Sequence, residues 1–195
     1  MTSLIWRHIR IMTEKTNRLV LVIGGSGSGK SEFAEHMALK LHDNNNGHMY
    51  YVATMVSRDK ESDERILRHV KRRDNTAFET IERPADIGGI VVQDEDVILL
   101  ECISNLLANE MFKGSIIDDE CATRIINDIC RLHNICDMVI VSNEVSVDGC
   151  EYDDITKKYI ADISYINRQI AGVADMVVEV AAGIPIYIKG SGENE

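Results

Sequence analysis

Eight consecutive residues, Gly24-Gly25-Ser26-Gly27-Ser28-Gly29-Lys30-Ser31, carry the spacing G-x-x-x-x-G-K-[ST]. These residue types suit one chemistry, the gripping of a polyphosphate. Glycines let successive backbone N–H groups turn inward around a β-phosphate, and the start of a following helix adds the positive end of its dipole. Lys30 would then meet the β- and γ-oxygens, and the Ser31 hydroxyl would ligate Mg2+. A Gly/Ser-rich turn can match this spacing by chance, so the flanking residues decide. Arg18–Ile23 (RLVLVI) is an apolar, β-branched run suited to a buried parallel strand. Within Ser31–His42, Phe33, Ala34, Met37, Ala38 and Leu41 recur at helical spacing. A strand before and a helix after is the context such a loop requires, and the sequence reads as a nucleoside-triphosphate site of the P-loop kind.

Glu101 follows the apolar run Val97–Leu100 directly. An acid at a strand end is by itself as often a solvated surface group as a functional one. Beside a phosphate loop it becomes a candidate for Mg2+ or its bound water, because a metal bridging β- and γ-phosphates needs carboxylate balance.

The rest of the chain alternates strand and helix. After Asp43-Asn44-Asn45-Asn46-Gly47, a polar turn cluster, His48–Thr54 (HMYYVAT) reads as a strand. Ser57–Asp74 is densely charged, with Ile66 and Val70 four apart, and reads as an exposed helix with a narrow apolar stripe. Val97–Leu100 is a buried strand preceded by the acidic turn Asp94-Glu95-Asp96. Helices are expected over Ile103–Phe112, Asp119–Cys136 and Ile155–Val173, with strands over Met138–Ser142, Met176–Val180 and Pro185–Lys189. This order predicts an α/β fold of the P-loop NTPase kind, a mostly parallel central sheet with right-handed crossovers and helices on both faces. One domain is expected over 18–195, with 1–17 an extension outside the fold and Met12 an alternative translation start.

The bulk properties set limits. The chain has 195 residues, 45% hydrophobic, enough for one substantial core. A formal net charge of −11 argues against a protein that coats nucleic acid, since phosphate backbones demand a basic surface. The longest apolar runs are strand-sized, so no membrane span is expected. Five cysteines without C-x-x-C or metal-type spacing suit reduced thiols in the cytoplasm.

Five stretches together resemble the bifunctional adenosylcobinamide kinase/adenosylcobinamide-phosphate guanylyltransferase family of cobalamin biosynthesis. They are GGSGSGKSEFAE; YVAT with Asp59, Glu61, Arg65-Ile66 and His69; LLECISNLLAN; Ser142–Val145; and Asn167 onward, including Ala171, Ala174-Asp175 and GIPIYIKG. The match runs from about Arg18 to Lys189. The resemblance implies phosphorylation of adenosylcobinamide by ATP or GTP. Transfer of GMP from GTP to adenosylcobinamide phosphate follows, through a GMP–histidine intermediate, giving adenosylcobinamide-GDP. By the match of R-I-x-x-H the nucleophile is His69. It also places Thr54 and Glu82 at the nucleotide, matches Asn109 and Asn143-Glu144 to family positions without a catalytic step, and implies a homo-oligomer, in the family a trimer.

The chemistry of His69 agrees. A neutral imidazole attacks phosphorus without first losing a proton, and a P–N bond stays reactive enough to be displaced. Arg65, Arg68, Lys71, Arg72 and Arg73 surround it in sequence and could stabilise a pentavalent transition state and departing pyrophosphate. Such a run is as often a solvated basic face, but in an acidic protein anion binding is the better reading. His8, His36, His42, His48 and His133 read as ordinary surface or core residues.

The chain departs from the family pattern at several positions. Gly27 stands where an arginine is usual, Arg73-Asp74 where Arg-Pro is common, and Phe78 where a tryptophan is typical, with one residue inserted. Ser146 and Glu151 replace a glycine and a proline, and Lys157 an arginine, so a planar phosphate contact becomes a point charge. Substrate handling is what these changes touch; the loop and His69 are intact. Two other readings are a P-loop kinase without nucleotidyl transfer and a nucleotide-sensing binding protein. A nucleophile at His69 is superfluous to a sensor.

Overall fold

The computed structural model describes residues 17–43, 46–56, 77–113, 117–144 and 151–190. Seven strands form one sheet: β1 (Leu19–Gly24), β2 (Met49–Ala53), β3 (Phe78–Glu82), β4 (Val97–Leu100), β5 (Asp137–Asn143), β6 (Met176–Ala181) and β7 (Ile184–Lys189). Their order is β3-β2-β4-β5-β1-β6-β7. All neighbours are parallel except β6 and β7, which form an antiparallel hairpin.

Four helices cover the described sheet: α1 (Lys30–His42), α2 (Ile103–Met111), α3 (Cys121–His133) and α4 (Asp154–Val173). Alternation along the central strands fixes which helix lies where. Val20 and Val22 of β1 pack with Val139 and Val141 of β5 under Ala34, Ala38 and Leu41 of α1. Leu19, Leu21, Met138 and Ile140 face the other way, against α2, α3 and α4. The predicted α3 stripe of Ile125, Ile126, Ile129 and Leu132 is buried there, each side chain contributing about 1.5–3 kcal/mol.

This division follows from crossover handedness. The chain leaves β1 through α1 toward the β2 side of the sheet. It returns through α2 and α3 to β5, then through α4 to β6, on the opposite side of β1. Right-handed connections in opposite directions must use opposite faces. The reversal beside the carboxyl end of β1 opens the crevice where ligands of such sheets bind.

Several expectations are revised. Phe78–Glu82 is a strand that the sequence conceals: FETIE carries two carboxylates and a threonine, because at this edge only Phe78 and Ile81 pack against the cores on the two faces while Glu79, Thr80 and Glu82 stay exposed. Within the acidic turn before β4, Asp96 is only 2% exposed. Its carboxylate takes the amides of His48 at 2.8 Å and Gln93 at 2.7 Å, stapling the start of β2. Helix α3 begins at Cys121 and ends at His133, shorter at both ends than expected, with Ile135 and Cys136 forming turns back to Leu132. Helix α4 starts one residue early, capped by the Asp153 carboxylate on the Thr156 amide at 2.7 Å. The helix expected over 57–74 lies outside the described residues, as does the 1–17 extension apart from Asn17, whose amide donates to the His133 carbonyl.

Candidate active site

The phosphate loop lies where β1 ends and α1 begins. Gly24 has φ 153°, and a Cβ there would come within 2.5 Å of the Val180 carbonyl oxygen. Gly27 (φ 71°) and Gly29 (φ 91°) are left-handed, the region glycine enters without cost. Gly29 is the N-cap, so α1 starts at Lys30 and its first amides border the loop. The Ser28 amide bonds the Gly25 carbonyl at 3.3 Å, and the Lys30 Nζ donates to the same oxygen at 2.8 Å. Burial pushes the Lys30 ammonium below the ordinary lysine range, while the nearby Cys102 sulfur works in the other direction. The tip of the β6–β7 hairpin, Ala182 and Gly183, supports the loop from one side: the Gly183 amide donates to the Ser28 carbonyl at 2.8 Å.

Glu101 lies at the end of β4, separated from β1 by β5 alone. Its carboxylate is 9% exposed. One oxygen accepts the Tyr51 hydroxyl at 3.0 Å; the other accepts the backbone amides of Thr54 at 2.9 Å and Met55 at 3.1 Å. The Thr54 hydroxyl donates to the Cys102 carbonyl at 3.1 Å. Asn109 of α2 completes the knot, its Nδ2 donating to the carbonyls of Thr54 at 2.8 Å and Pro84 at 3.0 Å. The segments leaving β2 and β3 are thereby fastened to α2 and to each other. Sequence reading gave Asn109 no task, and nothing local could have supplied one, because its two acceptors lie 55 and 25 residues away.

Glu82 is the last residue of β3, opposite Ala53 of β2, and is exposed at the same carboxyl edge. His69, Arg65, Arg68, Lys71, Arg72 and Arg73 lie outside the described residues. Of the family departures, Gly27 has open space around a hypothetical Cβ but a positive φ, so an arginine there would fit sterically in a strained backbone. Phe78 packs edge-on against Tyr51, ring centroids 6.1 Å apart. Lys157 is exposed and pairs with Asp154 at 3.6 Å.

The donor set suits a magnesium ion carried in with phosphates. No group of three or more His, Cys, Asp or Glu side chains gathers as a metal cluster among the described residues. Mg2+ does not require one, since it is usually held by one or two protein oxygens, phosphates and waters. Ser31 offers a hydroxyl in the first turn of α1. Glu101 already accepts three hydrogen bonds, which leaves about one lone-pair direction of four and suits a metal-bound water better than direct ligation.

A loop of this geometry, an acid one strand away and a carboxyl-edge knot are features many phosphate-transfer enzymes could share. Comparison with known proteins is more specific. The family model described as "Cobinamide kinase / cobinamide phosphate guanyltransferase" matches residues 20–188. The chain belongs to this family. It is 31% identical over 187 residues to the bifunctional adenosylcobalamin biosynthesis protein CobU of Salmonella typhimurium (strain LT2), covering 88% of this chain and 99% of that protein. It is 30% identical to the protein of the same name from Escherichia coli (strain K12), again over 187 residues and with the same coverages. Among solved structures, the flagellar accessory protein FlaH from Methanocaldococcus jannaschii superposes with a TM-score of 0.49 at 15% identity, over 89% of this chain and 79% of that one. The family's description names two activities, a cobinamide kinase and a cobinamide phosphate guanyltransferase, and its match takes in the loop of Gly24–Ser31.

Proposed function

We propose that the chain phosphorylates the aminopropanol hydroxyl of adenosylcobinamide with ATP or GTP, and then transfers GMP from GTP to the product through His69. The observation that carries this reading is the loop of Gly24–Ser31, closed by Lys30 on the Gly25 carbonyl, in a chain matched by the family model over nearly its whole length. Gly24, Gly25, Ser26, Gly27, Ser28 and Gly29 present backbone amides to the phosphates, and Lys30 balances their charge. Mg2+, held by Ser31 with Glu101 on its bound water, would withdraw charge from the phosphate oxygens during transfer.

In the transfer step a ring nitrogen of His69 attacks the α-phosphorus of GTP. A P–N bond forms, the bond to the β-phosphate oxygen breaks, and pyrophosphate leaves with the electron pair. Lys71, Arg72 and Arg73 receive its charge. A phosphate oxygen of adenosylcobinamide phosphate then attacks the same phosphorus, breaking the P–N bond and regenerating His69. Glu82, exposed at the end of β3, would contact the guanine nucleotide. Thr54, expected there too, is fully buried with its amide, hydroxyl and carbonyl all bonded within the protein, so its part is to hold the chain that leads to His69 rather than to touch the nucleotide.

Incubation with α-labelled GTP and Mg2+ should leave acid-labile, alkali-stable label on the protein, discharged by adenosylcobinamide phosphate and abolished by His69→Ala. Absence of label on the wild-type chain would remove the transferase assignment. We further infer a cytoplasmic homotrimer. The isoleucines Ile184, Ile186 and Ile188 of β7, between 48% and 64% exposed, support an edge covered by another subunit, and light scattering reads the mass. No described helix is long and apolar enough to cross a membrane.

A further inference from the structure

We infer that Asn143 contacts the terminal phosphate of the nucleotide gripped by the 24–31 loop and so distinguishes a triphosphate from a diphosphate. The inference rests on the nucleotide-binding reading of that loop.

The first support is the parity of three neighbouring strands. Val20 and Val22 of β1, Val139 and Val141 of β5, and Val97 and Leu99 of β4 all face α1. Two residues further along each strand, the alternation places Gly24, Asn143 and Glu101 on that same face at the carboxyl edge. The strands are adjacent in the order β4-β5-β1, and Asn143 is the direct partner of Gly24 across the β1–β5 ladder. Asn143 thus stands between the origin of the phosphate loop and the acid that ends β4. A phosphate chain seated in the loop and extending toward Glu101 passes over it.

The second support is the direction of the side chain. The Asn143 Nδ2 lies 3.9 Å from the Sγ of Cys102, the residue that follows Glu101, so the carboxamide turns toward the end of β4. A thiol sulfur is a weak acceptor, so the carboxamide N–H retains the capacity to donate to a phosphate oxygen.

The third support is the rigidity of the mount. The Asn143 carbonyl accepts the Asn167 Nδ2 at 3.2 Å, and the Glu144 amide donates to the Gly24 carbonyl at 3.4 Å. These bonds hold the backbone of Asn143 to α4 and to the loop, leaving its side chain for the crevice.

Titration calorimetry with Mg2+ tests this, using GDP and the β,γ-methylene analogue of GTP. Asn143→Ala should weaken the triphosphate analogue about tenfold, equivalent to about 1.4 kcal/mol, while GDP affinity and melting temperature stay at wild-type values. Asn143→Asp, nearly isosteric but anionic, should weaken the analogue further and again spare GDP; it decides the matter if the alanine variant melts early. A parallel fall in both affinities, or no change in either, overturns the inference. Lys30→Ala must weaken both ligands. If it does so while neither Asn143 variant has an effect, only the Asn143 contact is lost; if Lys30→Ala changes nothing, the reading of the loop fails and the contact with it.

Discussion

The carboxylate of Glu101 receives the backbone amide of Thr54 at 2.9 Å, joining the end of β4 to the point where the chain leaves β2. Thr54 is fully buried, so its amide has no water to turn to. Glu101→Ala would strand the amides of Thr54 and Met55 and should cost about 2–4 kcal/mol of stability, read from urea denaturation, because each buried unsatisfied donor costs about 1–3 kcal/mol. Glu101→Gln keeps an acceptor for the two amides, and the Tyr51 hydroxyl can turn to accept from the new NH2. Its stability should stay within about 1 kcal/mol of wild type. If Glu101 also acts on a metal-bound water, the glutamine variant should still lose about a hundredfold in kinase turnover. Full turnover in a stable Gln variant would confine Glu101 to its structural task.

Asn109 extends the same knot to β3. Asn109→Ala removes donors to the carbonyls of Thr54 and Pro84, and two ordinary hydrogen bonds are worth about 1–3 kcal/mol together. The more informative outcome is functional. The chain that leaves Thr54 carries His69, whereas the phosphate loop lies beyond β4 and β5 from it. Labelling by α-labelled GTP should therefore slow more than phosphorylation of adenosylcobinamide. Equal losses in both assays would mean that Asn109 supports the fold without placing the transferase residues.

These bonds also mark the limit of what the residues announce on their own. The loop, β1 and α1 were legible because their signals are local: a buried β-branched run, a glycine spacing and a 3.6-residue apolar period within one stretch of chain. β3 was not, since FETIE is an edge strand held by pairing with β2 and by only two half-buried side chains, Phe78 and Ile81, too few to make an apolar run. Asp96 looked like a turn acid and is a buried staple, because the amide it serves, that of His48, lies 48 residues earlier. Glu101 was found as an acid at a strand end, but its three donors come from β2 and the loop after it. His69 came only from the resemblance to a family, as no local pattern marks a phosphorus nucleophile in a basic run.

Lys30 gives a pH dependence with a defined sign. Burial holds its ammonium below the ordinary lysine range in the ligand-free fold, and a bound polyphosphate restores the charged form. Affinity for tripolyphosphate should be flat while Lys30 is protonated. It should fall as pH rises past the lowered value, because binding must then bring in a proton. Stability of the ligand-free protein should move the opposite way in the same window: the unfolded chain binds more protons there, so folding is favoured as pH rises. Calorimetric titrations and thermal melts from about pH 8 to about pH 10 read both trends. Lys30→Arg, charged throughout, should flatten them, and a decline in affinity that persists in that variant would assign the titration to another group.

Gly24 makes the tightest steric prediction. Its φ of 153° lies where side chains are rare, and an added Cβ would meet the Val180 carbonyl oxygen at 2.5 Å and the Ser28 Oγ at 2.8 Å. The serine can rotate, but the carbonyl belongs to β6, which is paired to β1 and cannot retreat without opening the sheet beside the loop. Gly24→Ala should cost about 1–3 kcal/mol of stability through overpacking. It should also weaken every ligand that reaches the phosphates, because β6 leads into the Gly183 turn that bonds the Ser28 carbonyl. Gly25→Ala is the control: nothing lies within 4 Å of its hypothetical Cβ and its φ is not positive, so the fold should keep its stability. Equal melting temperatures for the two variants would show that β6 yields more readily than this packing implies.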